Sequence, residues 1–106
     1  MDFKALGSRL GIDEEDFMEL VELFITTTLD DIEKIRQGLT DNNPVDAAAA
    51  AHSIKGAAGN LGLDDIYSLS KKMEEQAKSG SLDQFDVHIK NLEIKVNALA
   101  SIADDH

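Results

Sequence analysis

The 106-residue chain contains no cysteine, no tryptophan, one proline and one tyrosine, and its four phenylalanines bring the aromatic share to only 5%. Without cysteine there is no disulfide framework, no thiolate nucleophile and no thiolate metal ligand, and a reducing compartment is weakly favoured. Cationic residues are also scarce, with ten Lys and Arg against 21 Asp and Glu and a formal charge of −11. Affinity for a phosphate backbone comes mainly from cations that neutralise phosphates, so nucleic acid and anionic membranes are poor partners. The acidity reads as a solvated surface and identifies no partner by itself. No apolar run reaches the roughly 18 residues that a membrane span needs, and Met1-Asp2-Phe3-Lys4 lacks the basic start and apolar stretch of a secretory signal. These absences lead to the expectation of one soluble, cytoplasmic domain over residues 1–106, too small for a second core.

What is present is helical periodicity. Phe3, Leu6 and Leu10 predict a short helix from about Asp2 to Arg9, ended by Gly11 and expected to act as a lid. Asp13 can cap a second helix whose first turn carries Glu14, Glu15 and Asp16, suited to the positive end of the helix dipole. Its apolar stripe, Phe17, Leu20, Val21, Phe24, Thr28, Ile32, Ile35 and Leu39, advances in steps of one to four residues. Ile66, Leu69, Met73 and Ala77 form another stripe, closed by Gly80. Phe85, Ile89, Leu92, Val96, Leu99 and Ala103 form the last, with Ser81 or Asp83 as its cap. No strand pattern occurs, and the loops are short. The expected fold is all-α: an antiparallel up-down-up-down four-helix bundle with a short extra N-terminal helix.

Between these plain amphipathic helices lies the stretch that carries chemistry. Asn42-Asn43 before Pro44 supplies a cap and a first helical residue, five alanines from Ala47 to Ala51 propagate the helix, and Gly62 ends it. At about 100° per residue, Ala47, Ala50, Ile54, Ala58 and Leu61 fall on one side, while His52, Lys55, Gly56 and Gly59 fall opposite. Each interior glycine costs roughly 1 kcal/mol relative to alanine, so Gly56 and Gly59 are expected to serve partner clearance around the imidazole. Lys55, one turn from His52, is positioned to stabilise an anion on the ring. An imidazole, a cation and a cleared surface describe a phosphorylatable histidine.

The run H-x-x-K-G-x-x-x-x-x-G, His52 through Lys55 and Gly56 to Gly62, resembles the motif of histidine-containing phosphotransfer (HPt) domains of two-component phosphorelays. The resemblance covers nearly the whole chain. It implies that His52 is a phosphoacceptor, supported by Lys55, that takes a phosphoryl group from a receiver-domain phosphoaspartate or a histidine kinase and passes it to a response-regulator aspartate. It also implies no cofactor of the chain's own, with Mg²⁺ held by the partner receiver, and a monomer that binds receiver domains and a histidine kinase. Hairpin geometry adds one residue. If Ile54 packs near Met73, Ala58 near Leu69 and Leu61 near Ile66, His52 faces about position 75, where Glu74 and Glu75 are the polar candidates. Glu74 follows the core residue Met73 and matches a family position, so it is the candidate that orients the imidazole.

Competing readings fare worse. Di-iron bundles use Glu-x-x-His pairs, but the residue three before His52 is Ala49, so no metal site is expected. The chain has no glycine-rich nucleotide-binding segment and no room for an ATP domain, which makes it a phosphocarrier without autokinase elements. His88, beside the core position Ile89, and His106, at the end of the sequence, receive no role. The alternative from another class is a helical adaptor that binds a receiver or other partner without phosphorylation. Met18, Ile25 and Leu29, beside the main stripe of their helix, are candidates for a docking surface unless Phe3 and Leu6 cover them.

Overall fold

The computed structural model describes residues 2–105. Five helices are found among them: α1 (Phe3–Arg9), α2 (Glu14–Thr40), α3 (Pro44–Leu61), α4 (Asp64–Lys78) and α5 (Phe85–Asp105). The helix starts follow from capping chemistry. Asp2, Asp13 and Asn43 each accept a hydrogen bond from the backbone N–H three residues on, satisfying a donor that the first turn leaves without a helical partner. Gly62 ends α3 in the left-handed region at φ 74°, and its N–H and that of Leu63 return to the last turn of the helix.

The packing joins neighbours in sequence and closes on itself: α1 lies on α2, α2 on α3, α3 on α4, α4 on α5, and α5 on α2. The shared core contains Phe17, Val21, Ile32 and Ile35 from α2, Ala47, Ala51, Ile54 and Ala58 from α3, Met73 and Ala77 from α4, and Phe85, Leu92 and Val96 from α5. The alanines of α3 matter here. Ala47 and Ala51 are fully buried, and near the start of α3 a Cβ on Gly38 would come within 3.1 Å of the Ala47 backbone nitrogen. Small side chains therefore bring the helix that carries His52 against α2 at short range.

Several expectations change. The first helix is more than a lid: Phe3 is 1% exposed and its ring stacks obliquely on Phe17 at 5.9 Å, so α1 supplies an anchor of the core. Leu20 is 41% exposed and Leu39 half-buried, whereas Asp31 is buried on the same stripe as Thr28 and Ile35. Neither Ser81 nor Asp83 caps α5. Gln84 takes a left-handed conformation at φ 65° just before Phe85, and the turn is held by Gln76, whose amide donates to the Asp83 carbonyl and to the Ser81 hydroxyl. Three of the four threonines in α2 bond back to the preceding turn, Thr26 to Glu22, Thr27 to Leu23 and Thr40 to Arg36, while Thr28 is buried.

Candidate functional site

The polar face of α3 meets α4 near the C-terminal end of α4, because the two helices pack in opposite senses: His52 lies opposite Glu74, and Gly59 lies opposite Tyr67. The imidazole is exposed, with 66% of the side chain accessible, and its Nδ1 is 2.8 Å from Oε2 of Glu74. The Glu74 side chain is almost wholly buried, and it is the meeting point of the site. Lys55 Nζ lies 2.6 Å from Oε1 and Lys78 Nζ 3.1 Å from Oε2, so one carboxylate faces an imidazole and two ammonium groups.

The electrostatics follow from that crowding. The hydrogen bond from Lys55, reinforced by those of Lys78 and His52, outweighs burial and lowers the Glu74 pKa from the ordinary 4.5 to about 2. Glu74 in turn raises the Lys55 pKa above its ordinary value, against the smaller effect of desolvation. An ionised carboxylate can only accept, so the shared hydrogen is on Nδ1 and the lone pair of the neutral ring is on Nε2. The ring is thereby fixed in one tautomer with its other nitrogen available.

His52, Lys55 and Glu74 are thus brought together as expected. The two glycines part company. A Cβ added at Gly56 would meet nothing within 4 Å, which is open surface next to the histidine. A Cβ at Gly59 would stand 3.2 Å from the Tyr67 ring, so the helix contact with α4, and not partner clearance, accounts for that glycine. Sequence reasoning passed over two residues. Lys78 is one turn beyond Glu74 on α4, a spacing that could have flagged it. Ser53 donates to the buried Asp31 carboxylate at 2.8 Å and ties the residue after His52 to α2; the position of Asp31 one turn after Thr28 on the buried stripe was the available signal.

Two surface features flank the imidazole helix. A shallow groove lined by Val45, Ala48, Ala49, His52, Glu74, Ala77 and Lys78 runs along α3 and α4. A second depression, lined by Leu10, Leu20, Leu23, Phe24, Thr27, Ala57, Asn60 and Leu61, lies where α1, α2 and α3 meet. Of the residues expected to dock, Met18 and Ile25 are half-buried against the core and only Leu29 is exposed. His88 is half-buried with its ring edge-on to Phe85 at 6.0 Å, and burial, aided by Lys72, lowers its pKa. Among the described residues no group of three His, Asp or Glu side chains is placed to hold a metal ion, and no helix is long and apolar enough to cross a membrane. His106 lies outside the described residues.

The Hpt domain model of known protein families matches residues 19–102, which takes in the last four helices almost completely. The chain belongs to the Hpt domain family. Proteins of this family are phosphocarriers of two-component phosphorelays that work with receiver domains and histidine kinases, and are not themselves kinases. The fold of this Hpt domain is similar to the crystal structure of histidine-containing phosphotransfer protein B (HptB) from Pseudomonas aeruginosa PAO1, with a TM-score of 0.86 over 99% of this chain and 91% of that one. Identity between the two is 21%, so this likeness bears on the fold. No curated protein matches the chain.

Proposed function

We propose that His52 accepts a phosphoryl group on Nε2 from a receiver-domain phosphoaspartate, or from a histidine kinase, and passes it to a response-regulator aspartate. The observation that carries this reading is the exposed imidazole whose Nδ1–H is committed to an ionised Glu74, leaving the Nε2 lone pair free. In the accepting step that lone pair attacks phosphorus, the P–O bond to the donor aspartate breaks, and the aspartate leaves as carboxylate. The Nδ1 proton stays on the ring, where Glu74 faces the positive charge that the ring acquires. Onward transfer reverses the sequence. Mg²⁺ belongs to the receiver in this scheme, and the chain contributes position, tautomer and countercharge.

Lys55 offsets part of the charge of about −2 that a phosphoryl group carries near pH 7. Open space over Gly56 admits the partner. The depression bordered by the exposed Leu10, Leu20 and Leu23 is the better docking surface, replacing Met18 and Ile25, because it continues onto α3 at Ala57, one residue beyond Gly56. The order in which the helices pack supports an antiparallel up-down-up-down bundle of α2 to α5 with α1 as the extra helix. In this proposal the bundle acts as one monomeric cytoplasmic domain. Incubation with a radiolabelled phosphorylated receiver tests the reading. Label on the wild type and none on His52→Ala supports relay; no label with any receiver favours a helical adaptor that binds without phosphorylation.

A further inference from the structure

Glu74 has one negative charge and two ammonium partners, and Glu75 acts on Lys55 from the same helix, so two cations are gathered at one carboxylate in a chain where acids outnumber bases 21 to 10. The two lysines are not equivalent. Lys55, on α3 with His52, holds Oε1 at 2.6 Å and is 24% exposed. Lys78, on α4, shares Oε2 with the imidazole and is 65% exposed. Two groups bonded to one oxygen lie no farther apart than the two bonds laid end to end, so the Lys78 ammonium already stands beside the ring. Both also border the same groove along α3 and α4. The charged groups around the imidazole are therefore Lys55 from α3 and Glu74, Glu75 and Lys78 from α4.

From this arrangement we infer that Lys78 is a second phosphoryl-binding cation: Glu74 stations it beside His52 in the resting protein, and it moves onto a phosphoryl oxygen when His52 is phosphorylated. The inference rests on the phosphoacceptor reading of His52. Its physical basis is charge balance. A phosphoryl group of charge about −2 arriving beside the Glu74 carboxylate meets a net repulsion that Lys55 alone does not offset. Lys78 has a long, largely exposed side chain that can follow the new charge, while Lys55 keeps Glu74 paired through Oε1. An ordinary i, i+4 pair on a helix, the alternative role for Lys78, contributes a little to helix stability and nothing to the phosphoryl group.

The test needs no receiver. Phosphoramidate can phosphorylate the full chain: the Nε2–P bond forms, the P–N bond of the reagent breaks, and ammonia leaves with a solvent proton. A ³¹P titration then reads the second ionisation of the phosphoryl group, ordinarily about pH 6 for a protein phosphate. A cation in contact lowers that midpoint, so Lys78→Gln is expected to raise it by about 0.5 to 1 pH unit, a three- to tenfold change in proton affinity, with Lys78→Arg close to wild type. A midpoint that does not move in Lys78→Gln overturns the role of Lys78 while leaving His52 as the acceptor. Label that persists in His52→Ala overturns the phosphoacceptor reading itself. Circular dichroism on the same variants shows whether the helix pair alone was lost.

Discussion

Replacing Glu74 by glutamine keeps the shape of the side chain and removes the charge that three groups share, so it isolates what the carboxylate contributes. The wild-type carboxylate has a pKa of about 2 against an ordinary 4.5. One pKa unit corresponds to about 1.4 kcal/mol, so the whole displacement would be about 3 kcal/mol. Lys78 and His52 are 65% and 66% exposed, however, and water and salt weaken their share, which leaves on the order of 1 to 2 kcal/mol. The sign is set by linkage. A carboxylate whose pKa is lower in the folded protein stabilises it above pH 4.5, and that stabilisation is lost as the pH falls from 4.5 through 2. Urea unfolding of both proteins at pH 7, 4 and 3 is the assay. The gap between wild type and Glu74→Gln should narrow from about 1–2 kcal/mol at pH 7 to roughly half of that at pH 3, with the rest lost only as the pH falls through 2. Parallel stability curves would refute the reasoning, since the other carboxylates titrate in both proteins and cancel in the difference.

Gly56→Leu should fold normally, because the new side chain meets open space, yet slow phosphotransfer from a receiver at least tenfold; unchanged transfer kinetics would remove the clearance argument. Gly59→Ala should leave transfer intact, because the added methyl meets the Tyr67 ring and not the partner, while the roughly 1 kcal/mol of helix propensity that the alanine gains offsets the cost of shifting that ring; slowed transfer kinetics would return Gly59 to the clearance role. Asn43→Ala removes the cap of the histidine helix and should cost about 1 kcal/mol by urea unfolding, without a change in phosphorylation. Leu23→Glu, at the exposed edge of the depression near α3, should weaken receiver binding in chemical-shift mapping, and unchanged shifts there would rule that surface out.

Most of the fold was legible because helix periodicity and capping are local. Asp13, Asn43, Pro44 and Gly62 act within one turn of themselves, and the helices they bound lie where the spacing puts them. Glu74 was legible for a less local reason: short loops force α3 and α4 into a hairpin, so a few paired core residues fix the register between His52 and its neighbour. The failures share a cause. A helical wheel says which side a residue occupies but not what lies beyond it, and so Gly59 was grouped with Gly56 although one meets Tyr67 and the other nothing. Leu20 was assigned to the core for the same reason, though the helices around α2 do not reach it, and Asp31 was missed because its partner Ser53 comes from another helix. The expected caps of α5 failed because Gln76, on a different helix, organises that turn.

The central claim is that a phosphoryl group resides on Nε2 of His52, with Nδ1 protonated against Glu74. Nitrogen-15 labelling of the histidines, followed by phosphorylation and long-range proton–nitrogen NMR, observes both nitrogens at once. The account predicts phosphorus–nitrogen coupling at Nε2 of His52, an attached proton at Nδ1, and loss of the signal on acidification with survival in base. Coupling at Nδ1, or phosphate on any other residue, would contradict it.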